Sequence, residues 1–265
     1  MTKVSLITVT RNSAETIEDT LRSAAAQTHD NVERIIIDGA STDNTLEIVR
    51  KFSDSNWIII SEPDEGIYDA YNKGITVSSG DVIAFLNSDD YYCSNTVIEE
   101  AVDVLKDQEL SAVYADMIYV DRTNVLRPRR YWKGKQLNRA HFSQGFHPGH
   151  PSLFLKRSVY AEVGMFDKDS FRMAADVEFM FRVFYKHQIQ GKYVPKCWVH
   201  MRDGGLTGGN ARSVKRQNDE ILRAHRQYDS FYPWPLFYGR KILDRSLQRL
   251  RAKMLALPLG TYSRD

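Results

Sequence analysis

Apolar residues in the first 110 positions follow two alternating rhythms. Short unbroken runs, in KVSLITVT, VERIIID, NWIIIS and DVIAFLN, are separated by stretches in which apolar side chains recur three or four positions apart. Unbroken runs suit strands covered on both faces, as in a parallel sheet, whereas the wider spacing suits helices with one buried stripe. In SAETIEDTLRSAAAQ the stripe is Ile17, Leu21 and Ala24 or Ala25, with Asn12 or Ser13 placed to cap it. In STDNTLEIVRKF it is Leu46, Val49 and Phe52, with Ser41 or Thr42 as the cap. Further helices are predicted around YDAYNKGI and over SNTVIEEAVDVLKD. The alternation predicts an α/β fold, a mostly parallel sheet flanked by helices.

After residue 110 the rhythm changes. AVYADMIYV and VLRPRRYW flank a turn near Asn124 and predict a hairpin. A polar loop, NRAHFSQGFHPGHP, leads to a strand SLFLKRS, a short helix ending at Gly164, a helix ADVEFMFRVFYKH, a strand GKYVPKCWVHM and a glycine-rich loop RDGGLTGGNARS. From about residue 211 the chain is helical and basic. The expected organisation is one domain over 1–210, in halves 1–110 and 111–210, followed by a C-terminal helical extension over 211–265.

The 265 residues are enough for a sizeable core, and the net charge of +2 points to no particular partner. Two distant cysteines, Cys93 and Cys197, form no disulfide framework and suit a cytoplasmic setting. The opening MTKVSLITVTRN reads as a strand rather than a signal peptide, and no apolar run approaches the ~20 residues of a spanning helix. Basic residues gather in one terminal helix without a recognition module, so no nucleic-acid partner is expected. In that helix Leu243, Leu247, Leu250, Met254 and Leu257 step by helical spacing among Arg240, Lys241, Arg245, Arg249, Arg251 and Lys253. With the preceding Phe231, Tyr232, Trp234, Phe237 and Tyr238, the pattern predicts peripheral contact of 231–257 with the inner face of a membrane. Packing on its own domain or on a second subunit is the competing explanation.

The chemistry gathers where strands end. Ligands of open α/β sheets sit beyond the carboxyl ends of the strands, and those ends carry Thr8, Thr10 and Arg11, then Asp38, then Glu62 and Asp64, then Asn87, Asp89 and Asp90. Neither G-x-G-x-x-G nor G-x-x-x-x-G-K follows the first strand, which removes support for dinucleotide and P-loop sites. The adjacent carboxylates in AFLNSDDYY call for a cation. Asp89, assisted by Asp90 or Asn87, could hold Mg²⁺ or Mn²⁺, the hard ions that bind through one or two carboxylates plus phosphates.

The ordered segments SLITVTRNSAETIEDTLRSAAAQTHDNVERIIIDGASTDNT, DEGIYDAYNKGI and GDVIAFLNSDD, continued by HPSLFLKRSVYAEVGMFD and MAADVEFMFRVF, resemble family 2 inverting glycosyltransferases of GT-A fold over residues 3–190. The resemblance implies a nucleotide-sugar site with Thr8, Thr10, Arg11 and Asp38 at the nucleoside, Asp69 and Lys73 at the nucleotide, and Asn87, Ser88 and Asp89 forming the D-x-D-like motif. Asn87 stands where the family has its first Asp. It also implies a metal held by Asp89 and Asp90 with His200 as third ligand, and Asp176 as general base, with Ala175 where the family has Glu. Inversion needs one base to take the acceptor proton while a metal stabilises the departing diphosphate. Asp176 as a plain helix cap is the alternative. His147 and His150 in FHPGHP, together with Gln144, are the expected acceptor wall.

By the same resemblance, relatives act in bacterial exopolysaccharide, capsule or lipopolysaccharide assembly, and the donor is expected to be a UDP-sugar. The acceptor is expected to be a glycan or a lipid-linked hydroxyl. The Q-x-x-R-W motif and the spanning helices of the family's processive synthases do not occur in this sequence, so transfer of a single sugar per encounter is expected. A nucleotidyltransferase, or a sugar-nucleotide-binding protein that has lost catalysis, are the competing functions.

Overall fold

The computed structural model describes residues 1–53, 56–204, 211–230 and 233–255. Its first half is a four-stranded parallel layer, β1 (Val4–Thr10), β2 (Val32–Asp38), β3 (Trp57–Ser61) and β4 (Val82–Phe85), in the spatial order β3-β2-β1-β4. Every residue of β1 is buried, as an inner strand with both faces covered requires. Side chains alternate between two cores. Ile7, Val9, Ile35, Ile37, Ile83 and Phe85 face one, while Val4, Leu6, Val32, Val82 and Ala84 face the other. The edge strand β3 departs from the expected double burial, with Ile58 exposed.

Helices α1 (Ile17–Ala25), α2 (Thr45–Phe52) and α3 (Ile67–Val77) connect these strands, with Ile17, Leu21, Ala24 and Val49 buried as predicted. The predicted caps are not used. Asn12 has a φ of 51° and its side-chain amide oxygen accepts from the Thr42 N–H at 2.9 Å, while the Ser41 hydroxyl turns to Asp38; Thr16 and Asn44 occupy the capping positions of α1 and α2 without side-chain cap hydrogen bonds.

Past β4 the same sheet continues through β8 (Phe154–Lys156), β6 (Ala112–Val120) and β9 (Gly191–Arg202) to the three-residue edge strand β5 (Asp90–Tyr92). Strand β7 (Pro128–Trp132) completes the predicted hairpin with β6. Antiparallel pairing at β8 and β5 makes this half mixed rather than parallel. Helices α4 (Val97–Leu105), α5 (Arg139–Ser143) and α6 (Arg157–Val163) cover it. Helix α7 (Ala175–Met180) widens into a π-helical turn over Phe181–Lys186, which carries the buried Phe181, Val183, Phe184 and Tyr185 into the core.

The C-terminal helices pack on the sheet domain: α8 (Ala211–Gln227) against α7, and α9 (Trp234–Met254) against β7. This alters the expected presentation of α9. Phe237 is buried and Tyr238 packs on the core, so these aromatics do not face outward; residues 231, 232 and 256–257 of the predicted membrane segment, and 205–210 of the glycine-rich loop, lie outside the described residues. No described helix is long and apolar enough to cross a membrane.

Candidate active site

The carboxyl ends of β1 and β4 and the first turns of α3 and α7 open on one cavity of about 1910 Å³. Thr10, Arg11, Asn87, Ser88, Asp89 and Asp176 line it, as do Gln144, His147 and His150. Thr10 Oγ1 is buried without a protein partner, which leaves it for a ligand.

The loop carrying Asp89 is held by its carbonyls. Thr16 Oγ1 donates to the Ser88 oxygen at 3.0 Å, Arg202 Nη1 to the Asp89 oxygen at 2.8 Å, and Thr20 Oγ1 to the Asp90 oxygen at 2.7 Å. Arg202 is anchored in turn by an ion pair with Asp19. Burial raises the Asp89 carboxyl above its ordinary range, with Arg122 and Arg202 opposing. A cation would favour its ionised form. Asp203, which follows β9, brings a second carboxylate to the lining of the same cavity, and carboxylate oxygens are the donor type a hard divalent ion takes.

Asp176 lies in the first turn of α7, past the capping position, so the plain helix-cap reading does not hold. Its Oδ1 instead accepts from the Tyr68 phenol at 2.8 Å. The helix start is capped from elsewhere: Glu220 Oε2 of α8 accepts from the N–H groups of Met173 at 2.7 Å and Ala174 at 3.0 Å. Ala175 is wholly buried beside them.

The profile described as Glycosyl transferase family 2 matches residues 5–164. The chain belongs to this family. A Mycobacterium bovis protein named "PGL/p-HBAD biosynthesis glycosyltransferase" is 30% identical over 195 residues, covering 72% of this chain and 73% of that one. The Escherichia coli enzyme WfaP, named as a UDP-Glc:alpha-D-GlcNAc-diphosphoundecaprenol beta-1,3-glucosyltransferase, is 35% identical over 127 residues, 48% of this chain and 50% of that one. Among solved structures, S. aureus TarS with UDP-GlcNAc superposes with a TM-score of 0.65 at 18% identity, covering 97% of this chain and 76% of that one. The mannosyltransferase PcManGT from Pyrobaculum calidifontis, with GDP-Man and Mn²⁺, gives 0.64 at 19% identity, covering 98% and 76%. The fold is therefore GT-A, as the sequence led us to expect.

In this glycosyltransferase the expected metal trio is not assembled. Asp90 is wholly buried, its Oδ2 accepting from Asn87 Nδ2 at 3.1 Å and its Oδ1 without a partner. Burial and the neighbouring Asp89 push its carboxyl well up, which favours the neutral form. The like-charge conflict in the motif is thus relieved by taking Asp90 into the interior. Asn87 explains itself in the same network, because its amide accepts from the Tyr71 phenol and donates to Asp90, which a carboxylate could not do. His200 also misses the cavity, pairing in register with Tyr91 and lying beside both cysteines.

Four expected nucleotide contacts are likewise engaged away from the cavity wall. Thr8 is buried within β1, and Asp38 is locked by the Ser41 N–H at 2.9 Å and the Ser61 hydroxyl at 2.7 Å. Asp69 pairs with Lys168 at 3.4 Å and Lys73 at 3.5 Å, and Lys73 with Glu62 at 2.8 Å. Asp64 does reach the wall, close against the end of β2: a Cβ on Gly39 would stand 2.2 Å from its Oδ2, so a larger residue there would displace the Asp64 carboxylate.

His150 lies on the wall yet is packed among Tyr71, Phe85 and Phe166, and burial lowers its pKa so that the ring is neutral. Sequence reading missed Tyr68, Asp203 and a basic wall of Arg130, Lys241 and Arg245. Tyr68 and Tyr71 shared a helical face in YDAYNKGI, which was a usable signal. The wall joins β7 to α9 and left no local trace.

Proposed function

We propose that the protein transfers one sugar, with inversion, from a nucleoside diphosphate sugar, UDP-linked in the first instance, to an acceptor hydroxyl on a lipid-linked glycan of bacterial surface polysaccharide assembly. The observation that carries this reading is that Asp89 and Asp176, far apart in sequence, open on one cavity. A divalent cation, Mn²⁺ or Mg²⁺, held by Asp89 with Asp203, would neutralise the departing diphosphate. Asp176 takes the proton of the acceptor hydroxyl. Tyr68 fixes Oδ1 of that carboxylate and leaves Oδ2 for the acceptor. Thr10 and Arg11 flank the donor, and Tyr71 sets the Asn87 amide at the mouth of the motif.

The basic wall supports an anionic acceptor. Burial, with Arg245 and Arg130 nearby, holds Lys241 down to about 8, a crowding of cations that a phosphate group would relieve. A diphosphate-linked acceptor, as in the name of WfaP, has that chemistry. The exposed apolar stripe of Leu243, Leu247, Leu250 and Met254 on α9 supports approach from a membrane surface. The experiment is to incubate UDP-sugars with Mn²⁺ and a polyprenyl-diphosphate-linked sugar and to read the anomeric configuration of the product by NMR. Product of retained configuration, or donor consumption unaffected by Asp176→Asn, would refute the scheme.

A further inference from the structure

The chain has only two cysteines, and the fold brings them together beside a histidine outside the cavity. Cys93 follows β5, Cys197 and His200 lie on β9, and one ligating atom from each falls within 4.8 Å of the others. A bulge makes this possible. In a regular strand, residues three apart point to opposite faces. Here Asp116 of β6 faces Cys197 and the next residue, Met117, faces Val199, so Trp198 is an extra residue that returns Cys197 and His200 to one side. Trp198 is fixed in the core by a 3.0 Å hydrogen bond from its indole N–H to Glu100, and its carbonyl accepts from the Cys93 N–H at 2.9 Å.

His200 Nδ1 is buried without a protein partner, though its ring packs on Tyr91 at 5.0 Å. All three residues are partly exposed, so the cluster lies near the surface rather than deep in the core. Asp116, the nearest carboxylate in register, is already taken by the Gly134 N–H at 2.6 Å and the phenols of Tyr193 at 2.7 Å and Tyr131. The donors on offer are therefore two sulfurs and one imidazole. That set selects a thiophilic ion over Mg²⁺ or Mn²⁺.

We propose that Cys93, Cys197 and His200 form a binding site for a thiophilic divalent cation, with Zn²⁺ as the probe ion, distinct from the oxygen donors of the cavity. Binding forms two zinc–sulfur bonds and one zinc–nitrogen bond and releases the thiol protons, with no change of oxidation state; the fourth position stays open to water. An occupied site would tie the short edge strand β5, which continues directly from Asp89, to β9.

The test uses the full chain, reduced and freed of metal, titrated with Co²⁺ as a spectroscopic stand-in for Zn²⁺. A sulfur-to-cobalt charge-transfer band that saturates at one ion per chain and is bleached by Zn²⁺ is expected. Cys93→Ser and Cys197→Ser should each lose the band while keeping the melting temperature of the metal-free wild type, and Asp89→Asn should retain it. Zn²⁺ should also slow iodoacetamide alkylation of both thiols by about tenfold or more. Absence of the band in the wild type, its survival in Cys197→Ser, or a Cys93–Cys197 disulfide in the protein as purified would overturn the proposal.

Discussion

The Tyr68 phenol donates a 2.8 Å hydrogen bond to Oδ1 of Asp176, joining the first turn of α3 to the first turn of α7. Burial first, and then the Asp176 charge, raise the phenol pKa far above its ordinary value, so Tyr68 remains a donor at any working pH. The carboxylate is thereby oriented by a group that never titrates.

Asp176→Asn should lower kcat by about 10²–10⁴-fold, the usual contribution of a positioned base. Tyr68→Phe should cost about tenfold, from one hydrogen bond to a charged group. Both variants should bind UDP as the wild type does. Calorimetric titration with UDP beside product assays checks the pair.

Asp89→Asn should abolish the rise in melting temperature that Mn²⁺ and UDP produce together, because it removes the carboxylate on the cavity wall. Asp90→Asn should keep that rise, since Asp90 is interior. Loss of the rise in both variants would restore Asp90 to the metal's shell.

Lys241 carries a proton only below about 8. As pH rises through that value the wall loses a cation, so KM for a diphosphate-bearing acceptor should rise while KM for the donor stays flat. Lys241→Arg, which keeps its charge, should flatten the profile.

Glu33 ties β2 to the start of β4. Burial works against its ionised form, yet Lys3, Ser5 and Ser79 hold its carboxyl down from 4.5 to about 2. A depressed folded pKa gives stability that is present above 4.5 and lost as pH falls toward about 2. With Lys3 partly solvent-exposed, we expect the loss to be roughly 2 kcal/mol. Urea midpoints across that range should fall in the wild type and change less in Glu33→Gln.

Leu247→Ser with Leu250→Ser should reduce co-sedimentation with vesicles containing anionic phospholipid and leave the melting temperature within a few degrees, because both side chains are exposed. Unchanged co-sedimentation would remove α9 from the membrane reading.

The strands and helices of the first half were legible because consecutive apolar residues such as Ile35, Ile36 and Ile37 have few other uses. Asp89, marked by its place at a strand end, and Asp176, marked by the resemblance, both line one cavity. Their neighbours were less legible. Asp90 carries the same charge as Asp89 in sequence, and only the pleat of β5 turns one inward and the other to the cavity. His200 was displaced by a single bulged residue, Trp198, which strand periodicity does not reveal. The basic wall depends on α9 folding back on β7, a long-range contact with no local signature.

Glu220 grips the backbone ahead of Asp176 from a helix that begins well beyond the last residue matched by the family profile. The tail and the carboxylate are in that sense a single mechanical unit. A chimera that keeps the chain through Met180 but takes its C-terminal segment from another relative would carry Asp176 on α7 without the Glu220 that holds the backbone ahead of it.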